Sequence, residues 1–288
     1  MDCADVVEHE EKEFKAQSKE PNAEPIPGYR LIQLLGRGGF GEVWKCAAPG
    51  GLYKAIKFVY GNLKGIHNAS ATVEDELKAV QLVKAIRHPF LLFVESVEIL
   101  DGELVIVMEL ADCSLHDVLT CYRAAGKAGI PRAQVLGFVR DAAEALDLMN
   151  FRHGLQHLDV KPRNLFVAGN QVKVADFGLV SSLSGKRGEG IPLSAVSPLY
   201  AAPEIFRGAI SRDSDQYSLA IVFQELLTGT LPFGGTNVRQ LLLQHTTQEP
   251  DLSALPACDR PVVGRALEKN PKNRYGSCAD FVRALTAS

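Results

Sequence analysis

His157-Leu158-Asp159-Val160-Lys161-Pro162-Arg163-Asn164 is followed, twelve residues beyond its last member, by Asp176-Phe177-Gly178. The first segment offers a carboxylate, an ammonium and an amide at fixed offsets, and the second offers another carboxylate in a strand-turn context. In-line phosphoryl transfer from Mg-ATP calls for this kit. A proton acceptor stands near the receiving hydroxyl, a cation near the moving group, and two oxygen ligands hold the metal, because catalysis is mostly positioning and charge stabilisation. A lone His-x-Asp would carry little weight, since such tripeptides arise by chance on solvated surfaces. The joint spacing of Asp159, Lys161, Asn164 and Asp176 carries the argument.

Composition sets the frame. The chain has 288 residues, 46% hydrophobic and 23% charged, enough for one large two-lobed domain with a sizeable core. A net charge of -3 with interspersed signs gives no footprint for nucleic acid or an anionic membrane. Cys3, Cys46, Cys113, Cys121, Cys258 and Cys278 are scattered without a Cys-x-x-Cys pair and read as reduced thiols of a cytoplasmic protein. The start, Met1 to Asp5, lacks the basic and apolar regions of a signal peptide. The most apolar stretch, Leu91 to Leu110, is broken by five acidic residues, so no membrane span is expected.

Upstream of the quoted stretch, residues 1–27 are rich in Glu and Lys and end in a Pro-punctuated run, which reads as a tail or linker. Tyr29 to Leu35 forms a strand that enters Gly36-Arg37-Gly38-Gly39-Phe40-Gly41 and leaves as Glu42-Val43-Trp44-Lys45-Cys46. Strand, glycine turn and strand make a hairpin, whereas the dinucleotide version of this motif opens a helix. Glycines without side chains let backbone N–H groups approach phosphates. Alone, the pattern is an ordinary glycine-rich hairpin. In the next strand, Leu52 to Val59, alternation puts Ala55 and Lys57 on the face that the hairpin would cover. A strand lysine usually snorkels to the surface; the Ala-Ile-Lys spacing behind the glycine loop argues otherwise.

Val73 to Ile86 carries Leu77, Val80, Val83 and Ile86 at helical spacing, with an acidic first turn. One of those acids pairs with Lys57; Glu76, beside the apolar face, is the first choice and Glu74 the alternative. Strands resume over Phe90 to Leu100 and Leu104 to Leu110, with a turn at Asp101-Gly102. Beyond Ala111 the pattern is helical: a long helix over Gln134 to Met149, and a segment from Asp215 to Leu227 so uniformly apolar that it belongs at the centre of the second lobe.

With these residues in view, the chain over about residues 28–286 resembles a eukaryotic-type (Hanks-type) serine/threonine protein kinase domain of the bacterial group. The resemblance implies an α+β, bilobal fold: a small antiparallel-sheet N-lobe with one helix (about 28–108), a hinge (about 109–112) and a larger, mainly helical C-lobe (about 113–288). It implies that Leu35 and Val43 roof the nucleotide, that Gly36, Arg37, Gly38, Gly39, Phe40 and Gly41 cover the phosphates, and that Ala55 pads the adenine. Lys57 would hold the α- and β-phosphates and pair with Glu76. Met108 would be the gatekeeper, Glu109 and Ala111 would offer backbone groups to adenine, and Phe166 would form the floor. Asp159 would accept the substrate proton, Lys161 would steady the γ-phosphate, and Asn164 and Asp176 would bind Mg2+. Glu204 of Ala202-Pro203-Glu204 would pair with Arg274, and Asp215 would anchor the catalytic-loop backbone. Ser197-Pro198-Leu199-Tyr200 and the Lys161-Pro162-Arg163-Asn164 run resemble serine/threonine rather than tyrosine kinases, so the implied substrate is a protein Ser or Thr.

Three departures stand out. Leu158 replaces the arginine of His-Arg-Asp, Ser181 replaces a basic residue that often binds an activation-segment phosphate, and Val196 replaces a glycine. The Glu76-to-Pro89 spacing is about one turn longer than usual, so Val80 or Val83 could join Val94, His157 and Phe177 in an apolar column. The rival readings are a pseudokinase scaffold, which Leu158 favours, and a small-molecule phosphotransferase, which Ala202-Pro203-Glu204 disfavours. A regulatory partner on the Glu76 helix is a further expectation.

Overall fold

The computed structural model describes residues 19–38, 41–60, 71–178, 180–182 and 196–288. Its contacts divide the chain into two compact units, residues 1–69 with 96–108 and residues 70–95 with 109–288.

The first unit is built on strands β1 (Arg30–Gly38), β2 (Gly41–Ala48) and β3 (Leu52–Val59). Helix α1 (Ala71–Lys84) and strands β4 (Val94–Leu100) and β5 (Glu103–Glu109) follow, giving a five-stranded sheet of order β1-β2-β3-β5-β4. The β1/β2 and β2/β3 pairs are antiparallel. β4 turns into β5 through Asp101 and Gly102, both at positive φ, as a tight hairpin turn requires. Strand alternation gives this sheet two distinct faces. One buries Leu31, Trp44, Cys46, Ile56, Phe58, Val105 and Val107 in a single cluster; the other carries Val43, Ala55 and Lys57. Part of the segment read as a linker packs on the first face. Ile26 joins its cluster, and Asn22 N donates to Leu31 O and Leu31 N to Ala23 O, each at 2.8 Å.

α1 groups with the larger unit because the chain after it is stitched to that unit. Leu92 N donates to Val174 O and Val174 N to Phe90 O, both at 2.9 Å. This also explains why β4 begins at Val94 rather than at Phe90: the preceding residues have their backbone partners elsewhere. The larger unit continues with β6 (Cys113–Ser114), α2 (Leu115–Ala124), α3 (Arg132–His153), β7 (Leu155–Gln156), β8 (Leu165–Ala168), β9 (Gln171–Val174) and β10 (Ser181–Ser182). Four helices complete it: α4 (Ser214–Thr228), α5 (Val238–Thr247), α6 (Asp259–Ala266) and α7 (Cys278–Ala287).

α3 packs against β9, α4 and α7 and is the axis of this unit. It ends at Gly154, whose left-handed backbone returns its N–H to Asn150 O. α4 is buried continuously from Ser214 to Leu226, as its apolar composition requires. A sheet unit and a larger helical unit are the α+β arrangement expected from the sequence. Among the described residues no helix is long and apolar enough to cross a membrane.

Candidate active site

The loop between β7 and β8 carries His157, Asp159, Lys161 and Asn164, and its backbone is fixed from below by α4. Asp215, at the N-terminal turn of that helix, is 2% exposed. Its Oδ2 accepts the N–H of His157 at 2.7 Å and its Oδ1 that of Leu158 at 2.8 Å. Burial pushes the Asp215 carboxyl up, while the neighbouring His157 and the two N–H donors pull the other way. These bonds hold Leu158 at φ +65°, a conformation that non-glycine residues rarely adopt, with its side chain buried.

His157, fully buried, links the loop to the segment after β9. Its Nδ1 accepts from Asp159 N at 3.3 Å, so the ring proton belongs on Nε2, which donates to Ala175 O at 3.0 Å. The Phe177 ring packs edge-on against the imidazole, with centroids 5.7 Å apart. Val94 and both candidates from α1 for the apolar column, Val80 and Val83, are buried. Asn164 O accepts from Ala175 N at 2.9 Å, a second tie between the two motifs. Asp176 is exposed at φ +64°, the second strained residue of this region.

The loop then converges on one carboxylate. Asp159 Oδ2 accepts from Lys161 Nζ and from Asn164 Nδ2, both at 2.8 Å, and Asn164 Nδ2 also reaches Asp159 O at 2.9 Å. Asp159 Oδ1 is buried and, among the described residues, has no hydrogen-bond partner. An acceptor left unpaired out of water is costly unless a ligand completes it. Asn164 thus spends its amide nitrogen on Asp159. Lys161 Nζ also donates to Ser197 Oγ at 2.8 Å, a partner the sequence pattern did not single out.

In the small sheet, the register sets Val43 opposite Lys57 on β3 and opposite Gly36 on β1. Ala55 is buried, Val43 and Lys57 are half-buried, and Leu35, Gly36, Arg37 and Gly38 are exposed. The glycines differ in what they need. A side chain at Gly41 would strike Phe58 O at 2.1 Å, so close approach of β3 explains that residue. At Gly36 and Gly38 an added Cβ meets nothing within 4 Å, so internal packing does not demand a glycine there.

Met108, Glu109 and Ala111 are half-buried. Glu109 N is committed to Phe93 O at 2.9 Å, and its side chain accepts from Lys173 Nζ at 2.9 Å, another pairing without a local sequence signal. Phe166 lies on β8, opposite Ser114 of β6 and Lys173 of β9. Nearby, burial holds the Cys113 thiol above its ordinary range. Gly39, Phe40, the side chains of Glu74, Glu76, Ser181 and Ser182, and Ser184, Lys186, Arg187 and Ser194 lie outside the described residues.

Glu204 and Arg274 form a buried bidentate pair, Nη1 to Oε1 and Nη2 to Oε2 at 2.8 Å each. Ser214 Oγ donates to Glu204 Oε1 at 2.8 Å, and Arg274 also donates to Glu268 O and Asp213 O at 2.9 Å. Each of the three guanidinium nitrogens of Arg274 thus has an acceptor, which compensates the buried charge. Among the described residues no group of three or more His, Cys, Asp or Glu side chains forms a ready metal cage. Mg2+ needs none, since it keeps waters and takes one or two carboxylates together with phosphate oxygens.

A family model described as protein kinase domain matches residues 29–285. Serine/threonine-protein kinase PknF of Mycobacterium tuberculosis is 33% identical over 273 residues, covering 90% of this chain and 56% of the relative. Serine/threonine-protein kinase PknB of Mycolicibacterium smegmatis is 33% identical over 270 residues, with coverages of 88% and 41%. CBL-interacting protein kinase 4 of Oryza sativa is 30% identical over 260 residues, with coverages of 87% and 56%. The chain thus spans about half the length of the curated relatives it matches.

Proposed function

Because the chain belongs to the protein kinase domain family, in its Hanks-type serine/threonine group, we propose that it is an ATP-dependent protein kinase that transfers the γ-phosphate of Mg-ATP to protein Ser or Thr hydroxyls. The observation that carries this reading is the state of Asp159. One carboxylate oxygen is fixed by Lys161 and Asn164, and the other is buried and without a hydrogen-bond partner among the described residues. A carboxylate so held is oriented to accept a hydroxyl proton from an incoming substrate without reorganising.

The remaining roles are those that the kinase family implies for residues at these positions. Lys161, between Asp159 and Ser197, sets a positive charge beside the acceptor and steadies the γ-phosphate. Lys57 binds the α- and β-phosphates, with Glu76 of α1 as its partner. Gly36 and Gly38 leave open the volume that a side chain would occupy, which suits phosphate oxygens approaching backbone N–H groups. The Glu109 carbonyl and the Ala111 N–H are the backbone groups for adenine, with Leu35, Val43, Ala55, Met108 and Phe166 as its apolar surround. Asn164 and Asp176 would hold Mg2+, which when bound neutralises charge on the transferring phosphates.

Leu158 favours a scaffold that binds nucleotide without turnover. Lys57, Asp159 and Asp176 are all retained, which favours turnover, because the arginine absent at 158 regulates rather than reacts. The scattered thiols support a reducing, cytoplasmic setting, and α1 is the element on which a regulatory partner would act. A Ser/Thr peptide array incubated with Mg-ATP tests the reading. Wild-type protein labels hydroxyl peptides and Asp159→Asn does not; equal labelling by both, with contaminating kinase excluded, overturns it.

A further inference from the structure

The face of the small sheet that turns away from Lys57 carries a charge cluster that the proposed chemistry does not use. The register sets Arg37 of β1 opposite Glu42 of β2, and Glu42 opposite Phe58 of β3, so three side chains line up across the sheet at the base of the glycine hairpin. Arg37 donates through Nε at 3.0 Å and Nη2 at 2.7 Å to Glu42 Oε2. The Glu42 carboxylate is 3% exposed, so its charge has to be compensated by partners rather than by water.

The second partner comes from outside the sheet. Lys19 Nζ lies 3.7 Å from Glu42 Oε1 and also pairs with Glu103 at the start of β5. Its Nζ stands 4.8 Å from the centroid of the Phe58 ring and 5.9 Å from that of Tyr60. Lys19 heads the segment that buries Ile26 and bonds Asn22 and Ala23 to Leu31, so it is delivered to this position by anchored backbone.

We propose that Lys19 is a positioning residue for the glycine hairpin: it fixes the Glu42 carboxylate, which in turn holds Arg37 and steadies the hairpin that covers the nucleotide phosphates. The inference rests on the phosphate-covering reading of that hairpin. A carboxylate gripped at one oxygen can swing, whereas cations on both oxygens fix its plane and with it the geometry offered to the guanidinium fork. Residues 19–29 are then part of the nucleotide-binding apparatus, and anything that lifts them from the sheet loosens the hairpin.

The test uses the full chain with Lys19→Met, which keeps the stem and removes the charge, and Lys19→Arg, which keeps the charge. Calorimetric titration with Mg-ADP and steady-state kinetics on a Ser/Thr peptide are read together. Lys19→Met is expected to raise Kd for Mg-ADP and KM for ATP about three- to tenfold, with kcat and the peptide KM little changed. Lys19→Arg is expected to restore both. Wild-type affinity in Lys19→Met overturns the inference, as does a loss that Lys19→Arg fails to rescue. A wild-type protein that does not bind Mg-ADP overturns the kinase reading, and the inference falls with it.

Discussion

In the loop from His157 to Asn164 the backbone ends on a buried carboxylate, the imidazole bridges to the next motif, and two donors lock Asp159. Among its described residues the glycine hairpin is held differently. Gly36, Arg37 and Gly38 are exposed, an added Cβ at either glycine would touch nothing within 4 Å, and Arg37 is gripped by the Glu42 carboxylate directly across from it on the neighbouring strand. The contrast is physical rather than incidental. On the proposed function, proton acceptance requires an oxygen fixed before substrate arrives, which suits the buried hydrogen bonds committed to the loop. A phosphate cover, on the same reading, has to admit and release its ligand, so its order is expected to be completed by that ligand.

The largest expected effects break the chemistry on both sides of this comparison. On the proposed function, Lys57→Met in the small sheet and Asp176→Asn beside the loop would each remove a phosphate or metal contact while sparing the apolar core. Transfer is expected to fall by about 10²- to 10³-fold or more in each, with melting curves unchanged. Sustained phosphorylation of a generic substrate by either variant would show that its region does not carry the reaction.

Glu204→Ala sharpens the comparison from the stability side. It leaves the Arg274 guanidinium buried against Tyr217 without its bidentate partner. The expected loss is about 3–5 kcal/mol in denaturant titration, because an uncompensated buried charge remains. An unchanged midpoint would mean that water reaches the pair.

How much of this was legible in the sequence follows the same division. The gathering of Lys161 and Asn164 on Asp159 could be expected because the three lie within six residues of one loop, and the burial of α4 because a helix buried all round must be apolar all round; the chemical roles of these residues belong to the proposed function. Ser197 as a partner of Lys161, and Lys173 as a partner of Glu109, could not be read. Each pair is joined by the fold across dozens of residues, and neither changes local composition. Likewise, β4 starts at Val94 because Phe90 and Leu92 bond to Val174, a tertiary competition that strand periodicity does not register. The upstream segment has the Pro- and Glu-rich look of a linker, and only the burial of Ile26 and the placement of Lys19 reveal that part of it packs on the sheet.

A smaller effect concerns Leu158. The resemblance implies that an arginine there couples the loop to a phosphate on the activation segment; a buried leucine at positive φ offers such a phosphate no partner. Preincubation with Mg-ATP after phosphatase treatment is therefore expected to change the initial rate on a separate substrate by less than about tenfold, ~1.4 kcal/mol of barrier. A larger rise, abolished by alanine at Ser181, Ser182, Ser184 and Ser194, would show that the loop is not complete by itself.

The most direct test of the contrast between a loop ordered by the fold and a hairpin ordered by its ligand is amide hydrogen exchange with and without a non-hydrolysable Mg-ATP analogue. The N–H groups of His157 and Leu158, donated to Asp215, are expected to exchange slowly in both states, while those of Gly36, Arg37 and Gly38 slow down only when the analogue is present. Loop amides that exchange freely until nucleotide is added, or hairpin amides equally protected in its absence, would contradict the account.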